Sequence, residues 1–136
     1  MSLFESNKGY LIGVKILDQQ HRELMDMVNH LEALGLNKSL RKNAVTQFIN
    51  ALVEYARTHF TTEEEFMRLS KYPNYVAHQN SHKQFITKIS QFKSKPIRDF
   101  RKHHDSLLAF LKTWIDEHIH QSDKDLGPFL NSRDIF

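Results

Sequence analysis

The sequence contains no cysteine. That absence removes disulfides, thiolate zinc sites, iron–sulfur clusters and thiol catalysis together, so any metal held by this chain must be held by nitrogen and oxygen. Four glycines and three prolines in 136 residues are too few for a many-turned β protein and leave helices as the main building material. No apolar run approaches the roughly 20 residues that span a bilayer, and the opening MSLFESNKGYLIGVKIL lacks the layout of a secretory signal. A soluble, cytoplasmic protein without a membrane span is the expectation. The net charge of +3 is too small to demand a polyanionic partner. Basic residues thicken between Lys93 and His104, but no aromatic residues alternate with them as a stacking groove needs. The stretch reads as the solvated start of a helix, and no nucleic acid is expected.

What is present is helical periodicity. Residues 1–17 have none, and Tyr10, Leu11, Ile12, Val14, Ile16 and Leu17 suggest an extended arm lying over apolar surface. Asp18 is placed as the N-cap of a first helix whose face carries His21, Leu24, Met25, Val28 and Leu31 until Gly35 ends it. Ser39 is a candidate cap for a long second helix to about Ser70, with an inward face of Phe48, Leu52, Tyr55, Ala56, His59, Glu63, Phe66 and Met67. Glu64 and Glu65 rotate toward solvent. Pro73 breaks this helix, and a third starts near Asn74 or Tyr75 with His78, His82, Phe85, Ile86 and Ile89 on one face. Pro96 opens a fourth with the stripe Phe100, Leu107, Leu108, Leu111, Trp114, Ile115 and His118, ending near Ile119. The predicted fold is all-α: an up-down-up-down four-helix bundle over residues 18–120, preceded by the extended N-terminal arm and followed by a C-terminal segment 121–136, whose tail from Phe129 to Phe136 packs down or frays. The whole of 1–136 is read as a single domain.

His59 with Glu63, and His78 with His82, are each four residues apart, slightly more than one helical turn, so each pair stacks on one face. A lone histidine on an apolar face is more often a hydrogen-bonded core residue than a ligand. Glu63 is more informative, because a carboxylate on a buried stripe is expensive unless it is paired or bound to a cation. Alternating helix directions bring His21, His59, Glu63, His78, His82 and His118 to one level near one end of the bundle. Asp123 lies five positions past His118, about 140° around an ideal helix, and can join them only if the helix unwinds in between. His30 and His120 should face solvent, His104 sits about 21 Å down the axis from His118, and His103 has no assigned role. Five imidazoles, two bridging carboxylates and one bridging solvent oxygen fill all but one position around two octahedral ions. That donor set fits two irons best, with manganese behind.

The segments DQQH, HFTTEEEFM, YPNYVAHQNSHKQF and WIDEHIHQSD together resemble the hemerythrin family in its single-domain bacterial form, over about residues 10–130. The resemblance implies two irons bridged by oxo or hydroxo, with His21 and His59 on one, His78, His82 and His118 on the other, and Glu63 and Asp123 bridging. It implies reversible dioxygen binding at the iron with two histidines, for storage, transport or delivery, behind an apolar pocket of Leu24, Phe60, Trp114, Ile115 and Ile119. Tyr10 stands where Trp is common and Ser81 where an acidic residue is common, which bears on tuning rather than on metal binding. No enzymatic activity is expected. The alternatives are an oxygen or redox sensor working through a separate signalling partner, and a di-iron enzyme acting on peroxide or nitric oxide. An oxygen-using enzyme would be the partner of a delivery protein, and a monomer is slightly favoured.

Overall fold

A computed structural model describes residues 10–37, 42–95 and 98–136; Ser39 and Pro96, and most of the arm, lie outside the described residues. The helices are α1 (Lys15–Gly35), α2 (Lys42–Ser70), α3 (Tyr75–Ser94) and α4 (Phe100–Glu117), after which a π-helical segment (His118–Asp123) leads without a break into α5 (Lys124–Ser132). The architecture is the expected four-helix bundle. α2 packs between α1 and α3, and α4 closes the bundle against α1 and α3. The core runs along the whole bundle: Leu17, Val28 and Leu31 of α1 meet Val45, Leu52 and Met67 of α2, Phe85 and Ile89 of α3, and Leu107, Leu111 and Ile115 of α4.

The first helix begins earlier than the position of Asp18 suggests. Val14, in extended conformation, is its N-cap, and Asp18 lies inside the first turn. From there its carboxylate reaches back to accept the amides of Ile12 (2.7 Å) and Gly13 (3.2 Å). Asp18 therefore pins the arm to the helix rather than starting the helix. The chain turns at Gly13, whose φ of 92° is open mainly to glycine. Alternation in the described part of the arm is sharper than an apolar run implies: Ile12 and Val14 are buried, while Leu11 and Ile16 are nearly half exposed.

The end of α2 is a left-handed cap. Lys71 has φ of 58°, its amide bonds to Arg68 O, and the Tyr72 amide bonds to Met67 O at 2.9 Å. This reversal, together with Pro73, delivers α3 antiparallel to α2. α4 starts at a conventional cap, Asp99 accepting the Lys102 amide at 3.1 Å.

The tail packs down rather than frays, and the fourth helix, whose regular turns end at Glu117 close to Ile119 as expected, does not break there. It continues through the π segment into α5, with Leu126 and Leu130 fully buried. Gly127 is where the arm crosses: a Cβ there would lie 1.9 Å from Ile12 O. Asn131 fastens the same crossing by donating to Gly13 O (3.0 Å) and Ile135 O (2.8 Å).

Candidate metal centre

Each helix of the bundle sends polar side chains inward at one level. α1 contributes His21, α2 His59 and Glu63, α3 His78 and His82, and the π segment His118 and Asp123. All seven are at most 5 % exposed, and the two carboxylates are fully buried. On α2 and α3 the four-residue spacing does this within a regular helix. At the end of α4 the spacing is five, and the chain widens instead of unwinding: the Lys124 amide bonds to Ile119 O, five residues back. A π turn takes up one extra residue per turn, so His118 and Asp123 come to the same face.

The seven side chains form two groups that share Glu63. Glu63, His78, His82 and His118 offer donor atoms within 4.8 Å of one another, as do His21, His59, Glu63 and Asp123. Each carboxylate turns one oxygen to each side. Glu63 Oε1 faces His78 at very short range, His82 Nε2 at 3.0 Å and His118 Nε2 at 3.8 Å, while its Oε2 faces His59 (3.4 Å) and His21 (3.7 Å). Asp123 Oδ1 is 2.8 Å from His78 Nε2 and 3.2 Å from His118 Nε2, and its Oδ2 is 2.9 Å from His21 Nε2. Two donors at right angles on one ion, each bonded at about 2.1 Å, stand about 3.0 Å apart, which is the scale of these separations.

Hydrogen bonds account for only part of this cluster: Glu63 Oε1 meets His78 and His82, but other atoms are left over. His21 Nε2, Glu63 Oε2 and both Asp123 oxygens are buried without a hydrogen-bond partner. Unpaired buried polar atoms are rare, and these converge on each other. With protons in place of a cation, the carboxylates charge the imidazoles. Burial opposes this at His21 and His78, but Asp123 and Glu63 beside them prevail and push both up to about 10; at His118 the same carboxylates raise it to about 9. Burial wins at His59, which falls to about 4. Glu63 and Asp123 both end below the ordinary carboxylate range, because the surrounding imidazoles outweigh burial. The residues fit a pair of cations: nitrogen and oxygen donors, two carboxylates placed to span two positions, and a charge deficit that protons otherwise fill.

Three of the five histidines have a partner at the outward ring nitrogen, while His21 Nδ1 is buried without one. His59 Nδ1 meets Gln20 Oε1 at 2.8 Å, His82 Nδ1 meets Glu64 Oε2 at 2.9 Å, and His118 Nδ1 meets Ser81 Oγ at 3.1 Å. Each contact leaves Nε2 free to point inward. Glu64 therefore does not simply rotate to solvent. The only hint in the chain is that Gln20 and Glu64 adjoin His21 and Glu63, one step around the helix from the inward face. Aromatic plates steady the same rings: Phe60 stacks on His82 with centroids 3.9 Å apart, and Trp114 on His118 at 4.4 Å.

Of the five apolar residues implied as a pocket, Leu24, Phe60, Ile115 and Ile119 are buried and Trp114 is half-buried. His30 and His120 are exposed as expected, though His120 also stacks on Tyr10 of the arm. His104 is buried far from the site, its Nε2 donating to Leu31 O at 2.6 Å and its ring filling the space where a Cβ on Gly35 would sit.

The profile described as the hemerythrin HHE cation binding domain matches residues 12–130. The bacteriohemerythrin of Stenotrophomonas maltophilia is 33% identical over 113 residues, covering 83% of this chain and 72% of that protein. The one from Clostridium acetobutylicum is 32% identical over 117 residues, covering 84% and 91%. Among solved structures, wild-type hemerythrin superposes with a TM-score of 0.73 at 25% identity, over 88% of this chain and 90% of that one. A hemerythrin point mutant reaches 0.80, also at 25% identity, over 96% and 98%. With its bundle and its paired histidine groups, this chain belongs to the hemerythrin HHE cation-binding family.

Proposed function

We propose that this protein binds dioxygen reversibly at a non-haem di-iron centre, for storage, transport or delivery. The observation that carries the reading is the lopsided sharing of two carboxylates, with three histidines on one side and two on the other. His78, His82 and His118 would hold one ion, His21 and His59 the other, and Glu63 and Asp123 both. The side with two histidines is then short of protein donors, which leaves room for a small ligand. When bound, the iron pair supplies the two-electron redox chemistry that holds and releases dioxygen.

The chain's own part is orientation and exclusion. Gln20 and Glu64, as acceptors, set the tautomers of His59 and His82, and Ser81 orients the ring of His118, so that each Nε2 would face an ion. Leu24, Phe60, Trp114, Ile115 and Ile119 are proposed as the apolar wall that denies the site water and outside protons. The inward polar side chains act as ligands, and none remains as a general acid or base, which favours a binder over an enzyme. No described helix is long and apolar enough to cross a membrane. We also read residues 1–136 as one domain.

The test is anaerobic reconstitution with ferrous iron, followed by iron analysis and visible spectra under cycles of oxygen and argon. Two irons per chain and a visible band that comes and goes with oxygen are expected. A chain that remains empty, or one whose band never reverses, would overturn the proposal.

A further inference from the structure

The three outward partners of the histidines differ in charge. His59 leans on a neutral amide (Gln20) and His118 on a neutral hydroxyl (Ser81), whereas His82 leans on a carboxylate. Glu64 is held in place for this contact. Its Oε2 accepts from His82 Nδ1 at 2.9 Å, and its Oε1 accepts from Gln79 Nε2, also at 2.9 Å. Gln79 in turn donates to Tyr75 Oη at 3.2 Å. Among the described residues, the only ion-pair partner of Glu64 is His82, although Arg57 and Lys83 line the same surface cavity of about 640 Å³ between α2 and α3. Its charge is thus directed at one imidazole. A carboxylate hydrogen-bonded to Nδ1–H draws that proton outward and leaves the opposite nitrogen a stronger donor, an effect an amide or hydroxyl produces much less.

We propose that Glu64 is a positioning residue that makes the two halves of the centre unequal: through His82 it strengthens the three-histidine half, which holds its ion more tightly and favours the oxidised state. The two-histidine half, backed only by Gln20, is left the weaker and more open one. This rests on the two-metal reading of the site.

The test uses the full chain, stripped of metal and titrated anaerobically with Co²⁺ by calorimetry, and the iron-loaded chain in a redox titration. Glu64→Gln keeps an acceptor for His82 and removes the charge; Glu64→Ala removes both. Glu64→Gln should weaken one Co²⁺ step about tenfold, leave the other within about twofold, and raise the reduction potential. Circular dichroism should show both variants folded, since Glu64 is at the surface cavity and not in the core. If Glu64→Gln matches the unaltered chain in both steps and in potential, the proposal fails, and it fails equally if only Glu64→Ala has an effect, since orientation alone would then explain it. An unaltered chain that takes up no metal overturns the two-metal reading itself.

Discussion

α2 and the π segment solve the same problem in different ways. Each must put a histidine and a carboxylate on one buried face. α2 does it with His59 and Glu63 four residues apart in a regular helix, and the π segment with His118 and Asp123 five apart in a widened turn. The first solution uses the natural pitch and disturbs nothing downstream. The second inserts one residue, and everything beyond is rotated by that insertion. The rotation is what sends Leu126 and Leu130 of α5 into the core. A functional spacing and a packing register are therefore one decision in the π segment and two independent ones in α2.

The largest effect is expected from removing the carboxylates. Glu63→Ala and Asp123→Ala should each abolish uptake of both ions, because each carboxylate spans both groups, and metal analysis after reconstitution measures it. Uptake of one ion by either variant would show that the two carboxylates are not equivalent bridges.

Deleting Gln121 would close the π turn to an ordinary one and swing α5 by about 100°. Taking Leu126 and Leu130 out of the core should cost about 2 kcal/mol for each, visible in urea denaturation of the metal-free chain. A one-residue deletion that leaves stability intact would mean α5 packs independently of the turn before it.

In the metal-free chain His118 and His59 should respond to pH in opposite directions. His118, with His21 and His78, has its pKa raised from 6.5 to about 9 or 10, so its stabilising contribution is complete below pH 6.5 and fades as pH rises through those values. His59 is lowered to about 4, so its contribution is present above pH 6.5 and fades as pH falls toward 4. The urea midpoint of metal-free protein should therefore be highest near neutral pH and decline on both sides. A midpoint that climbs steadily from pH 6.5 to 10 would contradict the charge arrangement.

The smallest effect concerns the helix ends. α2 and α5 both finish with a left-handed residue, Lys71 at φ 58° and Asp134 at φ 64°. Aspartate tolerates that conformation better than lysine. Lys71→Gly should raise stability by about 0.5–1 kcal/mol in thermal denaturation, and Asp134→Gly by less. The reverse order would mean that the Lys71 side chain makes up for its backbone.

Much of this was open to reading in the chain. His59, Glu63, His78 and His82 keep the pitch of a regular helix, and periodicity places them on the buried face whatever their neighbours are. His21 follows from its apolar stripe. Asp123 could be suspected but not placed, because a five-residue spacing leaves an ideal helix and the choice between unwinding and widening depends on what α5 packs against. The contact of Glu64 is hidden for a related reason. Counted along α2 Glu64 leaves the inward face, but it meets His82 across the gap to α3, and a periodicity argument on one helix cannot see a partner on the next. The start of α1 and the role of Gly127 were hidden likewise, since both depend on where the arm lies.

The amino-acid order alone decided the bundle, the level at which the polar side chains gather and the nitrogen-and-oxygen character of the centre, because hydrophobic period and donor chemistry are local properties of a chain. Tertiary structure decided the π turn, the passage of the arm over Gly127 and the charge behind His82. Each of those is a contact between segments far apart in sequence, and its geometry exists only once the helices have packed.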